Sequence, residues 1–385
     1  MTPDSSLSRR EFARLGAAAA LTPLLGHRLD PSTAPLTNER WPGYARALVV
    51  DALASPGPFN VPRMFDAPWT DAMVANARAS GITAVNLTVS GGGNGAAAFL
   101  SSVRAIAFAQ RECAAHPDTF TIVRTVPELQ AAKAAGRVGL ILGFQDGTPL
   151  EDDISRVDTF HGLGLRILQL TYNVRNLLGD GCLEAANGGL SAFGRRVVAR
   201  CNALGILIDL SHVGERTTMD AIAASTAPVA FTHSGCQAVN GVPRNKTDAQ
   251  LRALADKGGV IGIYLMPFLR AAGQPTSDDF VAHVDHAIRL CGEDQVGVGS
   301  DLSITPLDLT RDFRETHADF VRERRRQGIS APGEAEDVFN YVPDFNTPRR
   351  MEQIADLLSR RGHSSARIEK LLGGNWARLF GTVWR

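Results

Sequence analysis

The 385-residue chain has 40 Lys plus Arg against 40 Asp plus Glu, so its formal net charge is zero, and 44% of its residues are hydrophobic. Balanced charge excludes a long-range field that draws in nucleic acid or an anionic membrane surface, which leaves small-molecule chemistry as the expectation. The length allows one large α/β domain or two smaller ones, and five scattered cysteines (Cys113, Cys182, Cys201, Cys236, Cys291) with no C-x-x-C pair do not make a disulfide framework.

At the N-terminus, Ser8-Arg9-Arg10-Glu11-Phe12 precedes an apolar stretch at 15–25 that is too short to span a bilayer. Residues 1–30 therefore resemble a twin-arginine export signal, against the plainer reading of a disordered basic terminus. The signal predicts a periplasmic or otherwise exported protein that loads its cofactor before export, with no stable membrane span after signal removal. A Pro-containing linker is expected over 31–45, and a single domain over 46–385.

From there, short β-branched apolar runs occur at 47–51, 82–89, 138–144, 165–171, 206–211, 228–232, 259–265 and 295–300. Amphipathic stretches lie between them, including 191–204, 215–224, 248–257 and 276–291. This alternation is the pattern of βα units, and eight of them predict a (β/α)8 TIM barrel, fold class α/β, followed by C-terminal helices. A doubly wound open sheet competes, but no Gly-x-Gly-x-x-Gly turn follows the first run. Gly91-Gly-Gly-Asn-Gly95 lacks the ending of a phosphate-binding loop and is expected to be a βα connection. The charge-dense stretch 311–326 is expected as a solvated helix and the turn-rich stretch 332–348 as a loop over the barrel mouth.

Chemistry on this fold sits at the C-terminal strand ends. The fifth run ends Asp209-Leu-Ser-His212, the sixth Phe231-Thr-His233 and the eighth Gly297-Val-Gly-Ser-Asp301. Two imidazoles from adjacent strands can converge on one divalent cation, and a carboxylate beside them can ligate it or accept a proton. A lone terminal histidine is more often a hydrogen-bonded structural residue, but three polar residues at matching ends favour a site. Arg244 follows the sixth run by a short loop; it either clamps a substrate carboxylate or ties down the loop with Asn245 before a helix capped by Thr247 or Asp248. Gln145, Tyr172, Asn173 and Arg175 end the third and fourth runs as polar rim residues suited to substrate.

Five segments in order resemble the membrane (renal) dipeptidase family of zinc-dependent barrel peptidases, over about 49–380: Gly205-Ile-Leu-Ile-Asp-Leu-Ser-His212, Ala227-Pro-Val-Ala-Phe-Thr-His-Ser234, Pro243-Arg-Asn-Lys-Thr-Asp248, Gly297-Val-Gly-Ser-Asp301 and Leu372-Gly-Gly-Asn-Trp376. The resemblance implies two zinc ions at the mouth, held by a His-x-Asp pair after strand one, a bridging Glu after strand three and one His after each of strands five and six. It makes His212 and His233 metal ligands, Arg244 the residue that binds the substrate carboxylate, and Asp301 the group that handles the proton and the substrate amine. The other ligand positions read Leu53, Ser55 and Gln145, and the family's polarising histidine reads Tyr172. Leucine cannot ligate, and glutamine lacks the charge that holds two dications together. Asp146 is one residue from the bridging position and alternation turns it away, while Asp51 lies one layer deeper.

The expected cofactor is thus one divalent metal, with zinc the first candidate. The expected function is metal-dependent hydrolysis of a small dipeptide-like or amide substrate bearing a carboxylate. Asp301, Gln145 and Tyr172 are the candidate catalytic residues, Arg244, Asn173 and Arg175 the candidate substrate-binding residues, and a homodimer is left open. Altered chemistry on the same fold (lyase, isomerase or C–C hydrolase) and a non-catalytic periplasmic binding protein are the alternatives.

Overall fold

Each of the eight apolar runs coincides with one strand in the computed structural model, which describes residues 40–59, 64–90 and 96–385, the sixth strand continuing two residues past its run. The strands are β1 (Val50–Asp51), β2 (Ala84–Thr88), β3 (Val138–Phe144), β4 (Leu165–Gln169), β5 (Leu207–Asp209), β6 (Ala230–Ser234), β7 (Val260–Ile263) and β8 (Val296–Val298). They pair in parallel in sequence order, as right-handed βα crossovers require. The expected export signal, the linker as far as residue 39 and the Gly-rich loop at 91–95 lie outside the described residues. No helix among the described residues is long and apolar enough to cross a membrane.

The helices form where the sequence supplies starts and stops. Ser191 caps Ala192–Leu204 by accepting from the Gly194 amide, and Gly205 ends it in the left-handed region at φ 73°. Thr247, rather than Asp248, caps Asp248–Asp256, in a capping box with Gln250. The C-terminal segment then closes the bottom of the barrel. Val50, Ala84, Ile141, Ile167, Leu207, Ala230 and Val260, one from each of seven strands, share a buried cluster with Trp376, Leu379 and Phe380 of the helix Asn375–Val383. Trp376 Nε1 donates to Val298 O at 3.2 Å and Asn375 Nδ2 to Val296 O at 2.8 Å. A Cβ at Gly297 would strike the Trp376 indole, which explains a glycine in the middle of β8.

The barrel is completed between β8 and β1 by a seam rather than a strand ladder. Ala52 N–H donates to Val298 O at 3.1 Å, Asp301 N–H to Leu53 O at 2.8 Å and Ile304 N–H to Ser55 O at 2.7 Å. Beyond them the short strands Ala54–Ser55 and Leu302–Ser303 pair in parallel. The fully buried Asp51 carboxylate accepts from Ser300 N–H at 2.7 Å and Ser300 Oγ at 2.5 Å, with Arg350 Nε 3.9 Å away. Asp51 is therefore a structural group of the seam.

Three features depart from the expected pattern. The strand Phe120–Ile122 pairs with the first half of β3, and at three residues it is too short to show a period. Trp41 and Tyr44, within the expected linker, are packed: Trp41 N–H donates to Asp356 Oδ1 at 2.7 Å and Tyr44 OH to Ser80 O at 2.8 Å. The helix Arg311–Arg326, expected to be solvated, buries His317 and Val321.

Removing one side of a buried ion pair leaves the other uncompensated. Asp51→Ala is accordingly expected to lower the unfolding free energy by about 3–5 kcal/mol in urea titration. Asp51→Asn, which retains an acceptor oxygen, should lose less; a loss below about 1 kcal/mol for the alanine variant, the size of an ordinary surface change, would show that the seam does not depend on this carboxylate.

Candidate active site

His212 follows β5 and His233 lies within β6, both buried, with Nε2 atoms 2.9 Å apart. Each ring is aimed by its other nitrogen. Asn173 Nδ2 donates to Ile329 O at 2.9 Å, so its Oδ1 faces His212 and accepts from Nδ1–H at 2.6 Å. Thr232 donates to Asp209 Oδ2 at 2.5 Å, and its oxygen accepts from His233 Nδ1–H at 2.8 Å. Asp209 also accepts from Ser211 N–H and Oγ, and Ser211 Oγ accepts from His233 N–H at 3.1 Å. The Asp209-Leu-Ser-His212 and Phe231-Thr-His233 segments thus form one locked unit that turns two Nε2 lone pairs toward each other. Burial, and after it the Arg244 guanidinium, hold both imidazoles well below their ordinary pKa, so they are neutral at pH 7.

Arg244 is buried against the same atoms. Its Nη1 donates to Ser211 O at 2.8 Å and its Nη2 to His212 Nε2 at 3.1 Å, with the guanidinium carbon 5.6 Å from the Tyr264 ring centroid and 5.7 Å from that of Phe268. Asn245 is the loop tie, donating to Asn240 O and Phe268 O. Tyr172 stacks on His212 with centroids 4.1 Å apart and 22° between planes. Asp301 has a left-handed backbone at φ 63°, uncommon for a residue with a Cβ; its amide is held by Leu53 O, and its side chain lines the same cavity as His212, Arg244 and Tyr172.

Other expected site residues go elsewhere. Asn173 lines the cavity, but its amide is committed to His212 and Ile329, so it orients a ring instead of offering free groups to substrate. Arg175 points away and forms a fork with Asp180 at 2.5 and 3.1 Å on a half-exposed surface. Gln145 follows β3 with its backbone N–H donating to Ser90 Oγ, and it is not among the residues lining the cavity at His212. Asp146 is turned away into Thr148 and Asn176. Leu53 is buried, and Ser55 Oγ accepts from the Gly57 amide. Cys236 Sγ donates to His283 O and is no ligand to the pair.

The residue that sequence reasoning missed is Arg324. It comes from the helix Arg311–Arg326, lies 5.8 Å from the Tyr172 ring centroid and donates to both oxygens of Glu334 at 2.8 and 2.9 Å. The signal was present in the sequence: Phe313, His317, Phe320 and Arg324 follow a 4-3-4 spacing that puts them on one helical face. The loop at 332–348 reaches the mouth as expected, through Glu334 and Asn340.

Among the described residues, no group of three or more His, Cys, Asp or Glu side chains is placed to hold a metal. Two metals do not fit, because the histidine and the two carboxylates that the resemblance expects there are replaced by Leu53, Ser55 and Gln145 respectively. One does: two neutral imidazoles with hydrogen-bonded Nδ1 atoms and Nε2 atoms 2.9 Å apart approach the roughly 3.3 Å separation set by two bonds of about 2.0 Å in a tetrahedron. Arg244 competes with such an ion for the His212 lone pair.

The eight parallel strands define a barrel fold, on which chemistry sits at the C-terminal strand ends. The model of the membrane dipeptidase family (peptidase family M19) matches residues 74–323, and the chain belongs to that family of metallopeptidase-type hydrolases. An uncharacterized Klebsiella pneumoniae protein encoded in the pqqA 5' region is 32% identical over 240 residues, 60% of this chain and 76% of that protein. Two further curated relatives are matched over only 55% and 48% of their own lengths. Among solved structures, an amidohydrolase from Pseudomonas aeruginosa is 31% identical with a TM-score of 0.75, covering 89% of this chain and 98% of that one. A metallopeptidase from Rhodobacter sphaeroides, crystallised with a phosphinate mimic of the dipeptide L-Ala-D-Ala, shares the fold at 21% identity, a TM-score of 0.71 and coverage of 88% and 99%.

Lys246, two residues beyond Arg244, is fully enclosed, donates to Val213 O at 2.9 Å and is pushed down to about 7 by burial. The unfolded chain keeps that proton up to about pH 10.4, so the folded state is penalised fully below pH 7 and progressively less as the pH rises toward 10. Lys246→Met should therefore raise stability near neutral pH, and the gain should shrink by up to about 1.4 kcal/mol per pH unit between roughly 7 and 10. Denaturant titrations across that range read the difference; a pH-independent gain would show that the ammonium is not depressed.

Proposed function

We propose that this protein is a hydrolase of small dipeptide-like or amide substrates bearing a free carboxylate, working with a single divalent ion, zinc being the first candidate. The observation that supports it is the convergence of His212 and His233 Nε2 at 2.9 Å beside the buried guanidinium of Arg244, at the mouth of a dipeptidase-family barrel. His212 and His233 would hold the ion, which would supply Lewis acidity when bound.

The chain's own groups then divide the work. Arg244 takes the substrate carboxylate, exchanging its contact with His212 for a bidentate pair. Asp301, whose strained backbone keeps its side chain at the cavity, accepts the proton from the attacking water and passes it to the leaving amine. Tyr172, next to Arg324, offers a phenol to the carbonyl oxygen as charge develops on it; burial raises its pKa, so the proton to be donated is retained. Gln145 has no place in this scheme. The Arg-Arg motif and the apolar run behind it support an exported location.

Metal content by inductively coupled plasma mass spectrometry is expected to give about one equivalent per chain, lost in His233→Ala. Arg244→Met should lower kcat/KM for a dipeptide by roughly 100-fold or more, mainly through KM, and affect a carboxyl-amidated dipeptide far less. Absence of bound metal in protein purified without chelators, together with no dipeptide turnover, would favour altered chemistry on this fold.

A further inference from the structure

Beyond Asp301 the site continues into a second chamber. Asp301, Phe320 and Asn340 line both cavities, whereas Arg244, His212 and Tyr172 line only the first. Asp301 therefore stands between the part of the mouth that holds Arg244 and His212 and this chamber. Its walls are Leu302, Leu307, Phe313, Phe320, Tyr341 and Phe345.

Several polar side chains in that wall are bonded to the protein itself. Asn346 donates to Leu307 O at 2.9 Å and accepts from Leu307 N–H at 2.8 Å. His317 Nε2 is bonded to Val338 O at 3.0 Å, and Arg350 donates to Ser303 O at 2.5 Å. The rings are braced from behind, Phe345 edge-on to Phe280 with centroids 5.8 Å apart and Phe313 against Phe339 at 6.0 Å. A substrate group entering here meets aromatic and aliphatic surface, with little polar demand and little freedom for the walls to collapse.

We infer that this chamber is the specificity pocket of the enzyme and receives a bulky apolar, preferably aromatic, group at the substrate end opposite the carboxylate. The inference rests on the hydrolase function proposed above for the direction of the substrate. A dipeptide with its carboxylate on Arg244 and its scissile carbonyl at the histidine pair places its first residue at Asp301, and only that residue's side chain can enter the chamber. The helix Arg311–Arg326 thus selects substrate through Phe313 and Phe320.

The test compares Gly-Ala, Leu-Ala and Phe-Ala, with Ala-Gly and Ala-Phe as the opposite-end controls, by kcat/KM for the metal-loaded enzyme and by calorimetric Kd. Full burial of an aromatic side chain predicts a rise of roughly 10- to 100-fold from Gly-Ala to Phe-Ala and little change from Ala-Gly to Ala-Phe. Thr316→Trp, at an exposed position lining the chamber, fills it without disturbing the core and should compress that ratio to about threefold or less; Phe313→Ala should compress it too. Graded Kd values without turnover would uphold the pocket and remove the hydrolysis. Turnover with a flat ratio, or a preference that follows the second residue, would overturn the pocket and leave the hydrolysis standing. No binding of any of these dipeptides would remove both.

Discussion

The seam between the first and last strands is the constraint on which the mouth depends. Only two residues of β1 and three of β8 are strand, so the cylinder closes through single backbone hydrogen bonds and the buried Asp51 carboxylate under Ser300. Those bonds set where β8 stops and where Asp301 turns into its left-handed backbone. Leu53 and Ser55, which have no metal-binding side chain to offer, retain this role through their carbonyls. A chain that has lost ligands on strand one can thus keep the barrel and the position of Asp301, because the seam is made by main chain.

What the substitutions change is the electrostatics above that seam. The described mouth contains the neutral imidazole of His212, backed by that of His233, and the cations Arg244 and Arg324, with Glu334 paired to Arg324 and Asp301 facing the cavity. In a water-poor site the mutual repulsion of two dications is large and needs carboxylates to offset it. Ser55 and Gln145 stand where the resemblance expects such carboxylates and Leu53 where it expects a histidine, so the described mouth carries less negative charge. The hydrogen bond from Arg244 to His212 places a buried guanidinium and an imidazole Nε2 lone pair within one contact of each other.

Much of the fold was legible. Runs such as Val138-Gly-Leu-Ile-Leu-Gly-Phe144 can be little other than a strand buried on both faces, and the caps at Ser191 and Thr247 mark helices that form where their side chains accept the first amides. The strand Phe120–Ile122 was not, since three residues show no period. Within the site, the strand ends led to His212, His233, Arg244, Tyr172 and Asp301, because residues after consecutive parallel strands must share one rim. Asn173 and Arg175 shared that local signal but are bonded within the protein, one turning inward to His212 and the other outward to Asp180.

The sequence by itself determined the alternation of strands and helices, the family resemblance and the missing half of the ligand set, because these are properties of residue type and local spacing. Only the tertiary structure decided which groups meet. The facing of the two Nε2 atoms, the commitment of Asn173 to a ring, the use of Asp51 in the seam and the descent of Arg324 and Phe320 onto the mouth all join residues far apart in the chain. A charged helix exposes its solvent face in its composition; which partner its narrow apolar face will cover is fixed only when the barrel has closed beneath it.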